Sequence, residues 1–178
     1  MTPRLRPTSP DDASALAALA VAQREHLVPW EPTRPESWFT EEGQREVLEQ
    51  AEVDRAADRS HAFVITDDDI GVLLGRLTLA SVVRGAGQFC SLGYWVAREQ
   101  TGRGVATAAV GQALRIAFDD LGLHRVQAET LPHNQASRRV LEHHGFQRYG
   151  LAPQYLKIAG TWQDHELWQR VAPNDTPR

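Results

Sequence analysis

The sequence predicts one mixed domain of the α+β class, which some schemes place under α/β. Apolar residues recur with a helical period in about four segments and in strand-like runs in about seven others. The two kinds of segment interleave in the order β-α-α-β-β-β-α-β-α-β-β, with no internal repeat. A chain of 178 residues, 42% of them hydrophobic, is the size of one ordinary domain. We expect a single domain over residues 1–172 and a polar tail over residues 173–178.

The N-terminal part predicts one strand and two helices. A strand around Leu5 precedes Ser9-Pro10-Asp11-Asp12, which offers an N-cap, a Pro at the first helical position and two acids at the positive helix end. A helix to about His26 follows. The segment Val28-Pro29-Trp30-Glu31-Pro32 cannot continue it, because a residue before Pro is pushed out of the α region. Thr40-Glu41-Glu42 then caps a second helix.

From His61 onward the pattern changes to that of strands. HAFVIT and IGVLLGRLTLA predict two strands around the acidic turn Asp67-Asp68-Asp69, and QFCSLGYWVA predicts a third strand of this group. Gly145 supplies the left-handed end of a later short helix. The remaining predicted elements are a helix from about Gly104 to Leu121, a strand from Arg125 to Leu131, a helix from Asn134 to His144, and strands around Leu156 and from Glu166 to Val171.

Composition and charge exclude several classes of function. A net charge of -4 argues against general nucleic-acid binding, which needs clustered Lys and Arg. No apolar run approaches the ~20 residues of a membrane span, and the N-terminus lacks the apolar core of a secretory signal. The single Cys90 fits a reducing compartment, so we expect a cytoplasmic protein. Neither HExxH nor CxxC occurs, so we predict no metal.

Two glycines stand one residue apart in TGRGVA, residues 101–106, directly ahead of a predicted helix. Such a helix start directs several N–H groups at one place, which suits an anion. A Walker loop is excluded because the required Lys is missing, and a dinucleotide fingerprint because Thr107 fills its third Gly position. What remains is a pyrophosphate held by main-chain donors, with Arg103 as an added charge. The alternative is an ordinary glycine-rich helix start.

The same stretch resembles motif A of the GCN5-related N-acetyltransferases (GNAT), written [Q/R]-x-x-G-x-[G/A], which binds the pyrophosphate of acetyl-coenzyme A. Thr101 stands where that motif has Gln or Arg. Four further segments resemble the ribosomal-protein alanine N-acetyltransferases of RimJ and RimL type: EHLVPWEPTRPESW, VVRGAGQFCSLGYWV, LGLHRVQAETLPHNQASRRVLEHHGF and YLKIAGTWQDHELW. Together they cover most of residues 25–170.

That resemblance implies the GNAT fold, a mixed central β-sheet of about seven strands flanked by about four helices and splayed between the fourth and fifth strands. Acetyl-coenzyme A would be the co-substrate, with its pantetheine arm in the splay against the main chain of Trp95, Val96 and Ala97. One of those N–H groups would stabilise the oxyanion. The residues implied at the pyrophosphate are Thr101, Gly102, Arg103, Gly104, Val105, Ala106 and Thr107.

Asn134 and Ser137 resemble the family's Asn-x-x-Ser at the start of the helix after the fifth strand, which implies a role for both in binding coenzyme A. Asn134 also fits a plain N-cap. Ser137 is predicted to be catalytic, because its hydroxyl would hydrogen-bond the sulfur and give or relay a proton to the leaving thiolate. Many relatives carry a Tyr on this helix for that task, and here Leu141 takes its place.

The acceptor side is predicted from the Trp-containing loop and the neighbouring strands. Glu31 is expected to contact the incoming amine and is the second predicted catalytic residue. Glu129 shares a strand face with Arg125, so an ion pair is its alternative role. The residues expected to bind the acceptor together with Glu31 are Trp30, Tyr94, Glu129 and Tyr155. The alternative bases are His26, Asp164 and His165.

Three functions remain open from the sequence. The leading one is an acetyltransferase whose acceptor is the N-terminal α-amine of a protein, of the ribosomal-protein alanine type, attacked directly by the neutral amine. The second keeps the reaction but takes a free small amine, such as an aminoacyl compound, an antibiotic or a polyamine. The third is a noncatalytic coenzyme A-binding regulatory module. A monomer and a homodimer are both compatible with the sequence.

Overall fold

The element order predicted from the sequence is confirmed by a computed structural model, which describes residues 2–69 and 71–173. The predicted tail lies outside these residues from 174 onward. The strands are β1 (Pro3–Pro7), β2 (His61–Asp67), β3 (Leu73–Val83), β4 (Phe89–Val96), β5 (Arg125–Thr130), β6 (Gln147–Ile158) and β7 (Thr161–Val171). The helices are α1 (Ala13–Leu27), α2 (Glu41–Ala56), α3 (Val105–Arg115) and α4 (Gln135–His143).

The seven strands form one mixed sheet in the order β1-β2-β3-β4-β5-β7-β6. Strands β4 and β5 are parallel, whereas the other neighbours in the sheet are antiparallel. A parallel pair needs a crossover connection, and α3 provides it. The only parallel junction among the described strands therefore lies at the sheet centre, next to the start of α3.

Helices cover both faces of the sheet because its strands alternate apolar residues between the two sides. On one face Leu16 of α1 and Leu48 of α2 pack with Val64 of β2. On the other face the main core joins Val105 of α3 and Leu141 of α4 to apolar residues from the strands. The α1/α2 side and the α3/α4 side of the sheet are thus separate environments, and β4 contributes side chains to both.

The helix ends follow the predicted chemistry with one difference. The Ser9 and Thr40 side chains cap their helical segments as expected, and Gly145 ends α4 with φ of +70°. The α-helix predicted to Leu121 stops at Arg115 and continues as a π-helical turn, Ile116–Asp120. Single π-helical turns of this kind occur mostly within α-helices, and here the turn follows the last α-helical residue. Among the described residues, no helix has the length and apolarity that crossing a membrane requires.

Candidate active site

The loop before α3 is built to leave its backbone accessible. Gly102 and Gly104 adopt left-handed conformations with φ of +76° and +79°, which glycine tolerates best. A Cβ atom added to either would meet no protein atom within 4 Å, so the side on which it would stand is open. Gly104 is also the N-cap of α3 and supplies no capping side chain. The helix start is therefore uncovered.

Several main-chain donors converge at this uncovered start. Within the described residues, the N–H groups of Gly102, Gly104, Val105, Ala106 and Thr107 have no protein acceptor, whereas that of Ala108 bonds Gly104 O at 2.9 Å. The first turn of a helix lacks internal acceptors, and its dipole adds positive potential. Thr101 and Arg103 are exposed beside these groups. This geometry suits a diphosphate.

The start of α3 is fixed from behind by α4. His144 Nε2 donates to Thr107 O at 2.7 Å, and burial lowers the pKa of the imidazole, which favours its neutral form. The ring also packs on Gly111, where an added Cβ would approach His144 to 3.0 Å. The two helices are therefore held in register at the end where the free N–H groups lie.

Strands β4 and β5 part just beyond their last paired residues. The parallel register runs from Phe89↔Arg125 to Ser91↔Gln127 and then stops, although both strands continue. A cleft of about 480 Å³ occupies the resulting gap. Its lining includes seven residues predicted for the site, namely Trp30, Glu31, Tyr94, Trp95, Glu129, Asn134 and Ser137.

The free edge of β4 presents main-chain groups to this gap. Ala97 N–H donates to Leu74 O at 2.8 Å and is thereby engaged by β3. Because hydrogen-bonded pairs alternate along an antiparallel ladder, Trp95 faces β3 in the same way, while the groups of Tyr94 and Val96 face the gap. Of Trp95, Val96 and Ala97, whose main chains were predicted to meet the pantetheine arm, only Val96 directs its main-chain groups into the gap.

On the α3/α4 side of the cleft, a tyrosine meets the predicted catalytic serine. Asn134 caps α4 as predicted, its Oδ1 accepting from Ser137 N–H at 3.1 Å. The Tyr94 and Ser137 hydroxyls lie 3.0 Å apart and share a hydrogen bond. Burial raises the pKa of Tyr94 to about 12, so the phenol stays a neutral donor. Leu141, at the position of the relatives' tyrosine, is buried in the core.

Sequence reasoning placed Tyr94 on the acceptor side and missed this hydroxyl pair. The signal was the alternation along β4. Leu92 is buried in the main core with partners from α3 and α4, and residues two apart on a strand share a face. Tyr94 must then lie on the same side as Leu92, below α4. What the sequence does not contain is the distance between β4 and α4.

On the α1/α2 side, Glu31 forms part of a charged cluster. Its carboxylate pairs with Arg34 at 3.3 Å, and the Arg34 guanidinium lies 4.0 Å from the Trp38 ring centroid. Glu31 O accepts from Ala159 N–H at 3.0 Å, which ties the Trp-containing loop to the β6–β7 turn. Trp30 stacks obliquely on His133, with centroids 5.5 Å apart. The loop is thereby fixed over the cleft.

Arg76 of β3 is a member of this cluster that sequence reasoning did not identify. It lines the cleft, and its Nη1 is buried without a hydrogen-bond partner. Burial lowers the pKa of the guanidinium, Arg34 lowers it further and Glu31 raises it. The stretch LLGRLTLA indicated only a strand.

Glu129 lines the cleft, which was one of its two predicted roles. Its Oε1 accepts from the Ser91 hydroxyl at 3.4 Å, and no arginine of the described residues forms an ion pair with it. Burial raises the pKa of the carboxyl above its usual range, while the Ser91 hydrogen bond opposes that shift. A carboxylate with a raised pKa is suited to accept a proton near neutral pH.

Tyr155 is not brought to the cleft wall in the part of the chain that the structure describes. Its ring is 45% exposed and meets His165 edge-on, with centroids 6.0 Å apart. His165 is buried and lines the cleft, and its Nδ1 donates to Gln163 O at 3.0 Å. Tyr155 thus reaches the site only through His165.

Comparisons with known proteins agree with this geometry. The family model described as "Acetyltransferase (GNAT) domain" matches residues 4–147. The [ribosomal protein uS5]-alanine N-acetyltransferase of Escherichia coli is 33% identical over 166 residues, which are 93% of this chain and 86% of that protein. The crystal structure of ribosomal-protein-S5-alanine acetyltransferase from Vibrio fischeri superposes with a TM-score of 0.93 at 30% identity, covering 100% of this chain and 96% of that one.

A second solved structure adds a ligand to the comparison. Mycobacterium smegmatis RimJ in complex with CoA-disulfide is 36% identical and superposes with a TM-score of 0.91. The match covers 99% of this chain and 84% of that one.

Proposed function

The chain belongs to the GNAT acetyltransferase family and is an acetyl-coenzyme A-dependent N-acetyltransferase, and we propose that its acceptor is the N-terminal α-amine of a protein, of the ribosomal-protein alanine type. One observation carries the proposal. The cleft opens where β4 and β5 part and contains the charged residues Glu31, Arg34 and Arg76, while the free amides at the start of α3 follow β4 along the chain. We further propose that the protein acts in the cytoplasm, in keeping with its free thiol at Cys90.

The donor is proposed to lie along the α3/α4 side. Its diphosphate accepts hydrogen bonds from the N–H groups of residues 102 and 104–107, and Arg103 adds charge at the rim. The pantetheine arm follows the free edge of β4 and donates an amide N–H to the main-chain carbonyl of Val96 as an added strand would. Asn134 shapes the far wall of the cleft. The thioester then reaches Ser137.

Transfer is proposed to proceed by direct attack. The neutral amine nitrogen bonds the thioester carbonyl carbon, and the carbonyl oxygen takes the negative charge, which the Val96 N–H stabilises. The carbon–sulfur bond then breaks, and the electron pair leaves on sulfur. Ser137 gives the thiolate its proton and regains one from the Tyr94 hydroxyl at 3.0 Å. Tyr94 is in turn reprotonated from solvent, so the proton balance closes.

The amine's proton is proposed to leave toward the α1/α2 side. Glu31 attracts the ammonium form, although Arg34 already engages its carboxylate at 3.3 Å. Glu129 accepts the proton, because burial raises the pKa of its carboxyl above its usual range. The amine itself has a pKa near 7.7 in model compounds, so its neutral form is already present at pH 7.

A protein acceptor is favoured by the space beyond Glu31. A smaller cavity of about 180 Å³ adjoins the cleft there and shares Glu31, Arg34 and Trp38 with it. An extended chain has room for residues after the first one, which a small free amine would leave unused. The exposed Trp162 and Tyr155 side chains add apolar surface on the β6–β7 hairpin.

The test incubates the protein with acetyl-coenzyme A and a panel of acceptors, and measures the release of the coenzyme A thiol. Peptides beginning with Ala or Ser are compared with spermine, an aminoglycoside and a peptide blocked at its N-terminus. We expect release with the free peptides only, and mass spectrometry should place the acetyl group on the α-amine. Release with spermine or the aminoglycoside alone would favour a small-molecule acceptor. Binding of coenzyme A without release from any acceptor would favour a regulatory module.

A further inference from the structure

Arg76 is a partly buried cation at the acceptor side of the cleft, and no described residue forms a hydrogen bond or ion pair with it. Its Nη1 has no hydrogen-bond acceptor, and no carboxylate of the described residues forms an ion pair with it. A buried charge without a partner opposes folding, because the interior does not replace its hydration. A ligand that supplies an oxygen acceptor would relieve this penalty.

The strand holds the Arg76 side chain in place. Arg76 lies directly across from Trp95 in the β3–β4 ladder and from Val64 in the β2–β3 ladder. Val64 packs with α1 and α2, so Arg76 is on the same side of the sheet. The Trp38 ring lies over the guanidinium, with its centroid 5.7 Å from Cζ. The guanidinium is thus fixed between a strand and a ring, facing the cleft.

The neighbouring charges leave Arg76 as the open cation of the cluster. Glu31 is near enough to stabilise its charge, yet the Glu31 carboxylate is hydrogen-bonded to Arg34 Nε. Arg34 itself repels Arg76. The cluster therefore contains one carboxylate for two guanidinium groups, and one oxygen of that carboxylate, Oε2, is bonded to Arg34. Glu31 and Arg76 offer an incoming acceptor a negative and a positive group side by side.

We propose that Arg76 binds the acyl oxygen adjacent to the acceptor's amine, so that the enzyme selects α-amino acyl groups. This inference rests on the proposed function. In such a group only two carbon atoms separate the amine nitrogen from the acyl oxygen, which suits the adjacent carboxylate and guanidinium. The fork of a guanidinium donates well to a carbonyl or carboxylate oxygen. A polyamine brings further cations toward Arg76 instead, and is rejected by repulsion.

The experiment compares acceptors on the wild-type protein. An Ala-initiated peptide is measured against the same peptide with its first amide replaced by an (E)-alkene, which keeps the shape and removes the oxygen together with the amide N–H. We expect kcat/KM for the alkene to be lower by about tenfold to a hundredfold, the loss for one hydrogen bond to a charged group. Free alanine is the third acceptor. Preference for it over the peptide would identify a carboxylate as the bound oxygen.

Two variants of the protein are measured with the same two peptides, as in a double-mutant cycle. Arg76→Met removes the donors and should lower kcat/KM for the normal peptide to the level of the alkene, with no further loss for the alkene. Arg115→Met changes an exposed arginine of α3 and should leave both values unchanged. Because the acceptor comparison uses the wild-type protein, it stands even if Arg76→Met does not fold.

The failures of the two proposals are distinguishable. Equal use of the peptide and its alkene by the wild-type protein would overturn the role of Arg76 and leave peptide acetylation intact. The same conclusion would follow if Arg76→Met lowered both acceptors by one common factor, since that is a structural effect. No transfer to any peptide would instead remove the proposed function.

Discussion

Replacing Gly104 by Ala separates the stability of the loop from its ability to bind the donor. Gly104 has φ of +79°, and an L-residue there costs about 1–2 kcal/mol in backbone energy. The added methyl meets no protein atom within 4 Å, so no packing penalty is expected. The free energy of unfolding should therefore fall by about 1–2 kcal/mol, or roughly 2–8 °C in Tm at 2–4 °C per kcal/mol.

Binding of coenzyme A should fall for a different reason. The methyl of Gly104→Ala enters the space where the diphosphate is expected, and the loss of one amide–phosphate hydrogen bond is worth about 1.5–3 kcal/mol. That free energy corresponds to roughly a tenfold to hundredfold increase in Kd. The assay is calorimetric titration with coenzyme A, and denaturant unfolding measures the stability of the same samples.

Gly122→Ala is the matched control. Gly122 also has a left-handed φ, of +62°, and an open Cβ position. It follows the π-helical turn at the opposite end of α3, whose 11 residues alone span roughly 16 Å at 1.5 Å per residue. Gly122→Ala should show the same loss of stability with unchanged binding. If the two variants bound coenzyme A equally well, the reasoning about the open loop would be refuted.

Three further predictions concern proton transfer and acid stability. Ser137→Ala should lower kcat by about a hundredfold, and Tyr94→Phe should lower it by less. The double variant should be no slower than Ser137→Ala, because the two hydroxyls act as a unit. Additive losses of kcat in steady-state kinetics would contradict this. In the wild type, kcat/KM should fall on acidification at a pH above the usual carboxylate range, because the pKa of Glu129 is raised. Glu129→Gln should remove that fall. A pH profile that is the same in the variant and the wild type would exclude Glu129 as the base. Asp58 has its pKa lowered to about 2 by Arg84 and then His61. Asp58 therefore stabilises the folded protein fully at a pH above its pKa in the unfolded chain, near 3.9, and this stabilisation is lost as the pH falls through about 2. Since the pair is exposed, Asp58→Asn should destabilise by less than about 1 kcal/mol at pH 7 in denaturant unfolding, and the difference should shrink toward pH 2. A difference that did not depend on pH would argue against the ion pair.

The parts of the fold that follow from local patterns were predicted well. The order of elements, the Thr40 and Asn134 caps and the left-handed end at Gly145 depend on neighbouring residues, and the structure contains them. The open glycine loop before α3 belongs to the same group, because Gly102 needs only its own backbone to adopt φ of +76°. Such features follow from neighbouring residues and can therefore be predicted without knowledge of tertiary contacts.

The parts that were missed depend on residues far apart in the chain. The Tyr94–Ser137 contact joins positions 43 residues apart, and it exists only because α4 packs over β4. Arg76 is distinctive because no carboxylate of residues 2–69 or 71–173 pairs with it, a property of its three-dimensional surroundings rather than of LLGRLTLA. Ala97 was placed at the donor site, yet its N–H bonds Leu74 O, since strand alternation and not sequence motif directs each amide.

The central claim is that one cleft holds the donor with its diphosphate at the start of α3 and its thioester between β4 and β5. A crystal structure of the protein with coenzyme A tests it most directly. We predict diphosphate oxygens within hydrogen-bond distance of the N–H groups of residues 102 and 104–107, and the pantetheine arm against Val96. A diphosphate bound elsewhere, or an arm that lies outside the gap, would contradict the account.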